Sequence, residues 1–101
     1  MPGLAVRTVE VYRAAKAKHL PAAARTALER GAIEGVLHLS RRSVESYLDC
    51  CREFVESALR PMHYCLSARA AEPLRLAGAT QILVAAQPDE ASLLALVMPK
   101  P

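Results

Sequence analysis

Ser40, Arg41 and Arg42 stand where a short apolar run, Ile33 to Leu39, gives way to an amphipathic one. A serine at such a junction fits a helix N-cap, where its hydroxyl accepts a hydrogen bond from a first-turn N–H. The remaining free N–H groups and the helix dipole favour a bound anion. The two arginines put positive charge at the same place, unless solvent takes them up instead. The arrangement recurs further on, where Met62-His63-Tyr64-Cys65-Leu66 ends on Ser67, followed by Ala68 and Arg69. Such residues recognise carboxylates or phosphates; they do not break bonds. Tyr12, closing a strand-like stretch beside the basic connector, offers a phenolic proton, and packing is the other reading of its ring. His38, two residues before Ser40, either faces a cleft or is a packed, hydrogen-bonded strand histidine. His19 and His63 carry less signal.

Other chemistries are absent from the pattern. No GxGxxG, GxxxxGK[ST] or GxSxG motif occurs, and no His/Cys set has metal-ligand spacing. The reading therefore calls for no metal and no cofactor. Cys50, Cys51 and Cys65 form no CxxC pair, so they predict thiols packed in the core of a protein from a reducing compartment, the cytosol. No apolar run reaches the roughly 18 residues of a membrane helix, and no signal peptide is evident. The net charge of +3 is mild. It is uneven, because Arg7, Arg13, Lys16, Lys18 and Arg25 face only Glu10 in the first 25 residues. This balance favours an acidic ligand or a plain solvated face, and nothing in it suggests nucleic acid.

Chain order supplies the elements that must position these residues. Thr8 to Arg13 alternates as a half-exposed strand. Lys16 to His19 is a connector, and Pro21 starts a helix over Ala22 to Arg30 that Gly31 ends. The run Ile33 to Leu39 does not alternate, which predicts a strand covered on both faces. Apolar spacing at Val44, Tyr47, Leu48, Cys51, Val55, Ala58 and Leu59 predicts one helix from Arg41 to about Leu59, stopped by Pro61. After the Met62–Leu66 strand a helical pattern runs toward Gly78, with Pro73 expected to kink or shorten it. Gln81 to Ala85 is the last strand, Pro88-Asp89-Glu90 opens a helix over Ala91 to Met98, and Pro99 ends it. Alternation of this kind predicts an α/β fold with a parallel sheet of βα units. Ligands of such sheets bind at the carboxyl ends of strands. Ser40, Ser67 and Gln87-Pro88-Asp89 would share that edge.

Several segments, taken together, resemble uroporphyrinogen-III synthases. They are Val9-Glu10-Val11-Tyr12-Arg13-Ala14, then Gly31-Ala32-Ile33-Glu34-Gly35-Val36-Leu37-His38-Leu39-Ser40. Leu66-Ser67-Ala68-Arg69-Ala70-Ala71-Glu72-Pro73-Leu74 and Ala85-Ala86-Gln87-Pro88-Asp89-Glu90-Ala91-Ser92-Leu93-Leu94 follow in order. The resemblance implies two flavodoxin-like domains joined by two strands, with the second domain inserted in the first and the ligand between them. It implies closure of the linear tetrapyrrole hydroxymethylbilane, an octacarboxylate, into uroporphyrinogen III with loss of water, inversion of the last ring and no cofactor. By position, Tyr12 matches a linker-strand tyrosine proposed to assist loss of the hydroxyl. Ser40 matches the strand-end serine at substrate carboxylates, with Arg41 where proline is common. Ser67, Ala68 and Arg69 fall at the family's Gly-x-x-Thr turn, which this sequence does not keep.

Laid on the family fold, the chain corresponds to the returning linker strand and connector (residues 1–20) plus later βα units of the first domain (residues 21–101). One partial flavodoxin-like α/β domain is therefore expected, with one wall of the cleft and no turnover on its own. The first strand of the family sheet would lie beside Ile33–Leu39. Without it, the chain is expected to self-associate through the exposed strand edge, to accept a complementing N-terminal half, or to use Thr8–Arg13 as a substitute. The alternative reading is a stand-alone α/β module binding an anion without catalysis.

Overall fold

The computed structural model describes residues 11–14 and 20–97. The Thr8–Glu10 part of the first strand, the Lys16–His19 connector, Arg7 and the stop at Pro99 lie outside the described residues. In chain order the elements are β1 Val11–Arg13, α1 Ala22–Glu29, β2 Gly35–His38, α2 Arg41–Cys50, α3 Val55–Leu59, β3 Met62–Cys65, α4 Ala68–Leu76, β4 Ile82–Val84 and α5 Glu90–Val97. The four strands form one all-parallel sheet in the order β1-β2-β3-β4. The α/β class and parallel alternation are those the sequence predicts. No helix among the described residues is long and apolar enough to cross a membrane.

When strand order in the sheet follows chain order, right-handed crossovers send every connecting helix to the same side. Leu28 of α1, Tyr47 of α2 and Ala58 of α3 pack around Val36 of β2, and Val44, Ala70, Ala71 and Leu74 pack around Cys65 of β3. The register sets Tyr12, Val36, His63 and Ile82 abreast on this covered face. The opposite face carries Leu37, Tyr64 and Leu83 abreast, with α5 lying against β3. The double coverage expected of Ile33–Leu39 is thus only half realised: Val36 and His38 are fully buried, whereas Leu37 is partly open. Part of the gap is filled from within the sheet. The Tyr64 ring lies across Gly35, where a Cβ would come 2.5 Å from its Cε2.

The position beside β2 is taken by β1, with Val11 opposite Gly35 and Arg13 opposite Leu37. One expectation about the helices changes. The single helix from Arg41 to Leu59 is broken by a 3₁₀ turn at Arg52–Phe54. The Tyr47 hydroxyl donates to the Ala58 carbonyl at 2.7 Å. A straight helix would hold residues 11 apart about 16 Å from each other, so this bond requires the bend. Pro73, in contrast, lies inside α4 without ending it. The carbonyl it leaves unpaired belongs to Arg69, an exposed residue that water can serve. The helix continues to Leu76, and Gly78 leaves it at φ +100°.

Charge and thiols follow from this packing. Arg13 pairs with Glu90 at 3.0 Å, and Arg25 with Glu29 and Glu53 at 3.7 Å, so part of the basic N-terminal balance is met internally. The three cysteines form no disulfide, and burial pushes the thiols of Cys51 and Cys65 up to about 12 and about 11. Cys51 and Cys65 therefore pack and stay protonated at neutral pH.

Candidate functional site: two serine-capped turns at one sheet edge

β2 and β3 are paired so that His38 stands opposite Cys65, and the turns that follow them emerge together at the carboxyl edge. Each turn places a serine at a helix N-cap in nearly the same backbone conformation, φ −156° and ψ 161° at Ser40, φ −149° and ψ 163° at Ser67. Ser40 Oγ accepts from the Ser43 N–H and Ser67 Oγ from the Ala70 N–H, both at 3.1 Å. By helix geometry the N–H groups of Arg41, Arg42, Ala68 and Arg69 then have no intrahelical acceptor. Two helix starts therefore direct four backbone donors and two positive dipole ends at one place.

Ser43 is a functional support that motif reading missed. Its Oγ accepts from the Ser40 N–H at 3.2 Å and donates to the Ser40 carbonyl at 2.8 Å, closing a capping box from a buried position. The usual partner at that position is Glu or Gln; the signal present in the sequence was Ser-x-x-Ser over residues 40–43.

Between the turns lies an open hollow of about 360 Å³, lined by Ser40, Arg41, Arg42, Glu45, Ser67, Arg69 and Ala70. Five of the expected binding residues thus share one depression, and Ala68 contributes the backbone between Ser67 and Arg69. The three arginines differ. Arg41 reaches Glu72 on α4 at 2.9 Å and Glu45 on its own helix at 3.4 Å. Arg42 and Arg69 are exposed and form no ion pair among the described residues.

The third turn at this edge is closed to anions. Asp89 accepts from the Ser92 N–H at 2.7 Å, so the start of α5 is occupied by the chain's own carboxylate. A larger hollow, about 410 Å³, lies among Ile33, Glu34, Arg60, Met62 and Gln81 at the amino ends of the strands. That edge has no converging helix N-termini, and α/β sheets bind their ligands at the other one.

Tyr12 stands apart from the hollow. It lies opposite Val36, four residues before Ser40, or about 13 Å along the strand direction. Its ring packs on the Val36–Tyr47–Cys51 cluster. Burial, with the nearby Cys50 and Cys51 thiols, holds its phenol above its ordinary value, so it stays protonated at neutral pH.

His38 faces no cleft. His38 Nε2 and His63 Nδ1 are 3.0 Å apart, both rings are wholly buried, and both meet Tyr47 edge-on. Among the described residues, His38 Nδ1 and His63 Nε2 have no hydrogen-bond partner. Burial lowers both imidazoles well below their usual range; His63 adds to the effect at His38, whereas the backbone of Ala58 and Leu59 opposes it at His63. The pair is a neutral strut joining β2 to β3 beneath the site.

A family model described as uroporphyrinogen-III synthase HemD matches residues 1–95. No curated protein and no solved structure matches the chain.

Proposed function

The chain belongs to the uroporphyrinogen-III synthase family, and on that premise we propose that its two serine-capped turns hold carboxylates of the linear tetrapyrrole hydroxymethylbilane. The observation that carries this reading is the convergence of two helix N-termini with Arg42 and Arg69, neither of which has a counter-ion among the described residues. An octacarboxylate can place one or two side chains there, each meeting backbone N–H groups and a guanidinium. The reaction is ring closure with loss of water. The departing hydroxyl must receive a proton, while the carboxylate contacts hold the two ends of the chain near each other. Tyr12 is the donor in this reading, because its phenol keeps its proton at neutral pH.

Its distance from the hollow gives the second reading its force. One open wall with no proton donor inside it also suits an anion-binding module without catalysis. Tyr12→Phe separates the two. Where turnover to uroporphyrinogen III is measured, the variant is expected to react more slowly with tetrapyrrole binding unchanged. Unchanged turnover makes Tyr12 a packing residue.

Binding is tested directly by titrating the protein with uroporphyrinogen analogues and following backbone amides by NMR. Shifts are expected at residues 40–43 and 67–70. Shifts confined to the opposite edge, around Arg60 and Gln81, would remove the site. Ser40→Ala should cost about 1 kcal/mol of stability, measured by urea denaturation, and weaken the analogue as well. Loss of stability with affinity unchanged would show that the α2 start does not touch the ligand.

A further inference from the structure

The two outer strands of the sheet differ. β1 carries Arg13, whose guanidinium pairs with Glu90 at 3.0 Å. β4 carries no charge: no Asp, Glu, Lys or Arg occurs between Arg75 and Asp89, and no proline between Pro73 and Pro88. Charges and prolines are the usual guards of an edge strand, and β4 has neither. Toward β3, the His63 N–H donates to the Gln81 carbonyl at 2.8 Å and the Ala85 N–H to the Cys65 carbonyl at 2.9 Å. Backbone groups alternate sides along a strand, so Leu83 also turns its own toward β3, whereas the N–H and C=O groups of Ile82 and Val84 point outward. No described strand lies beyond them. The Leu83 side chain, on the α5 face, is 41% exposed.

We propose that the outer edge of β4 is a homodimer interface, where a second copy of the chain pairs its own β4 antiparallel about a twofold axis normal to the sheet. The pattern is self-complementary. Ile82 set opposite Val84 of the second copy exchanges two hydrogen bonds, and the twofold repeats them, so every outward backbone group of both strands is paired. Leu83 then falls on the axis as a non-hydrogen-bonded pair, the closer kind, with Cα atoms about 4.5 Å apart. Each exposed leucine covers the other. With no charge on the strand, the axis sets no like charges opposite one another. Pairing β4 with β1 of a second copy would leave further edges open and grow without closing, and Arg13 guards against it. The β4 pairing closes at two chains, joining two four-stranded sheets into one. Their carboxyl edges point in opposite directions, so both serine-capped hollows stay open.

One short strand from each chain makes a weak interface, so the test spans about 10 μM to about 1 mM protein. Sedimentation velocity should show the mass rising from 10.9 kDa toward twice that value and no further. Over the same range amide exchange at Ile82 and Val84 should slow. Mixed isotope-labelled and unlabelled chains should give intermolecular NOEs between Leu83 methyl groups. Leu83→Lys, at an exposed position, should keep the far-UV circular dichroism and raise the dissociation constant about tenfold or more, whereas Leu83→Ile should still dimerise. The wild-type dilution series decides by itself if Leu83→Lys fails to fold. A monomer at the highest concentration overturns the proposal. So do assembly beyond two chains, protection gained at Val11–Arg13 in place of Ile82 and Val84, and a folded Leu83→Lys chain that dimerises like the wild type.

Discussion

Acidification below pH 6.5 is expected to destabilise this protein steeply. His38 and His63 are neutral in the folded state, with values lowered from 6.5 to about 3 and about 4 by burial. Unfolded, each takes up a proton as pH falls through 6.5. The unfolded chain then binds more protons than the native one, so stability is fully present above pH 6.5 and declines as pH falls toward the folded values. Each such histidine contributes a slope of up to about 1.4 kcal/mol per pH unit, and the pair about 2.7. The geometry adds a reason for both to count. One imidazole must accept at the 3.0 Å contact, so a doubly protonated pair would set two N–H groups against each other. A small domain has about 5–15 kcal/mol in total; the pair removes about 4 kcal/mol by pH 5, so a domain near the lower end of that range is expected to unfold cooperatively between about pH 5 and 4. Denaturant titrations at several pH values, read by circular dichroism, measure the slope. Replacing both histidines with leucine should flatten it between pH 6.5 and 5. A flat wild-type curve over that range would show that the pair accepts a proton in place.

The second large effect concerns Leu74. It is fully buried and is the one large buried side chain of α4, in a cluster with Val44, Cys65, Ala70 and Ala71 against which Leu48, Leu59, Ile82 and Val84 also pack. Its fully buried neighbours Val44, Cys65, Ala70 and Ala71 are too short to refill the space it would leave. Leu74→Ala is therefore expected near the upper part of the usual range, about 3–5 kcal/mol, visible as a large fall in the urea midpoint. The loss reaches the site as well. Leu74 seats α4 against the sheet, and α4 carries the Ser67 cap that faces Ser40, so anion binding should weaken in the molecules that remain folded. Leu74→Met, close in volume, should cost less than about 1.5 kcal/mol and leave binding intact. A small cost for Leu74→Ala would mean that α2 and α4 close over the gap.

The parts of the fold and site that could be read from the chain are those set locally. Serine after an apolar run is enough to place Ser40 and Ser67 as caps, because an N-cap depends on the residue itself and the next three. Alternation of elements gives the parallel sheet for the same reason. What escaped was fixed by partners distant in sequence. The Arg41–Glu72 pair joins residues on different helices. The histidine strut depends on the register of β2 with β3, which no spacing reveals. The bend after α2 was hidden because the apolar period continues through it, and only the Tyr47–Ala58 bond shows why the chain turns.

Strand order has a further consequence, for the way the chain folds. In the sheet β1-β2-β3-β4 every strand pairs with its neighbours along the chain. No strand must wait for a distant partner, and no loop longer than one crossover has to close at any step. Topologies of this kind have low contact order for a parallel sheet and can grow by adding one βαβ unit at a time. The β2–α2–α3–β3 unit, tied by the histidine strut and the Tyr47 bond, is the natural nucleus. β1 and β4 then join as late additions on either side, each held by a single neighbour. The two caps of the proposed anion site straddle the nucleus and its next unit, so that site forms only when β3 has passed the chain on to α4.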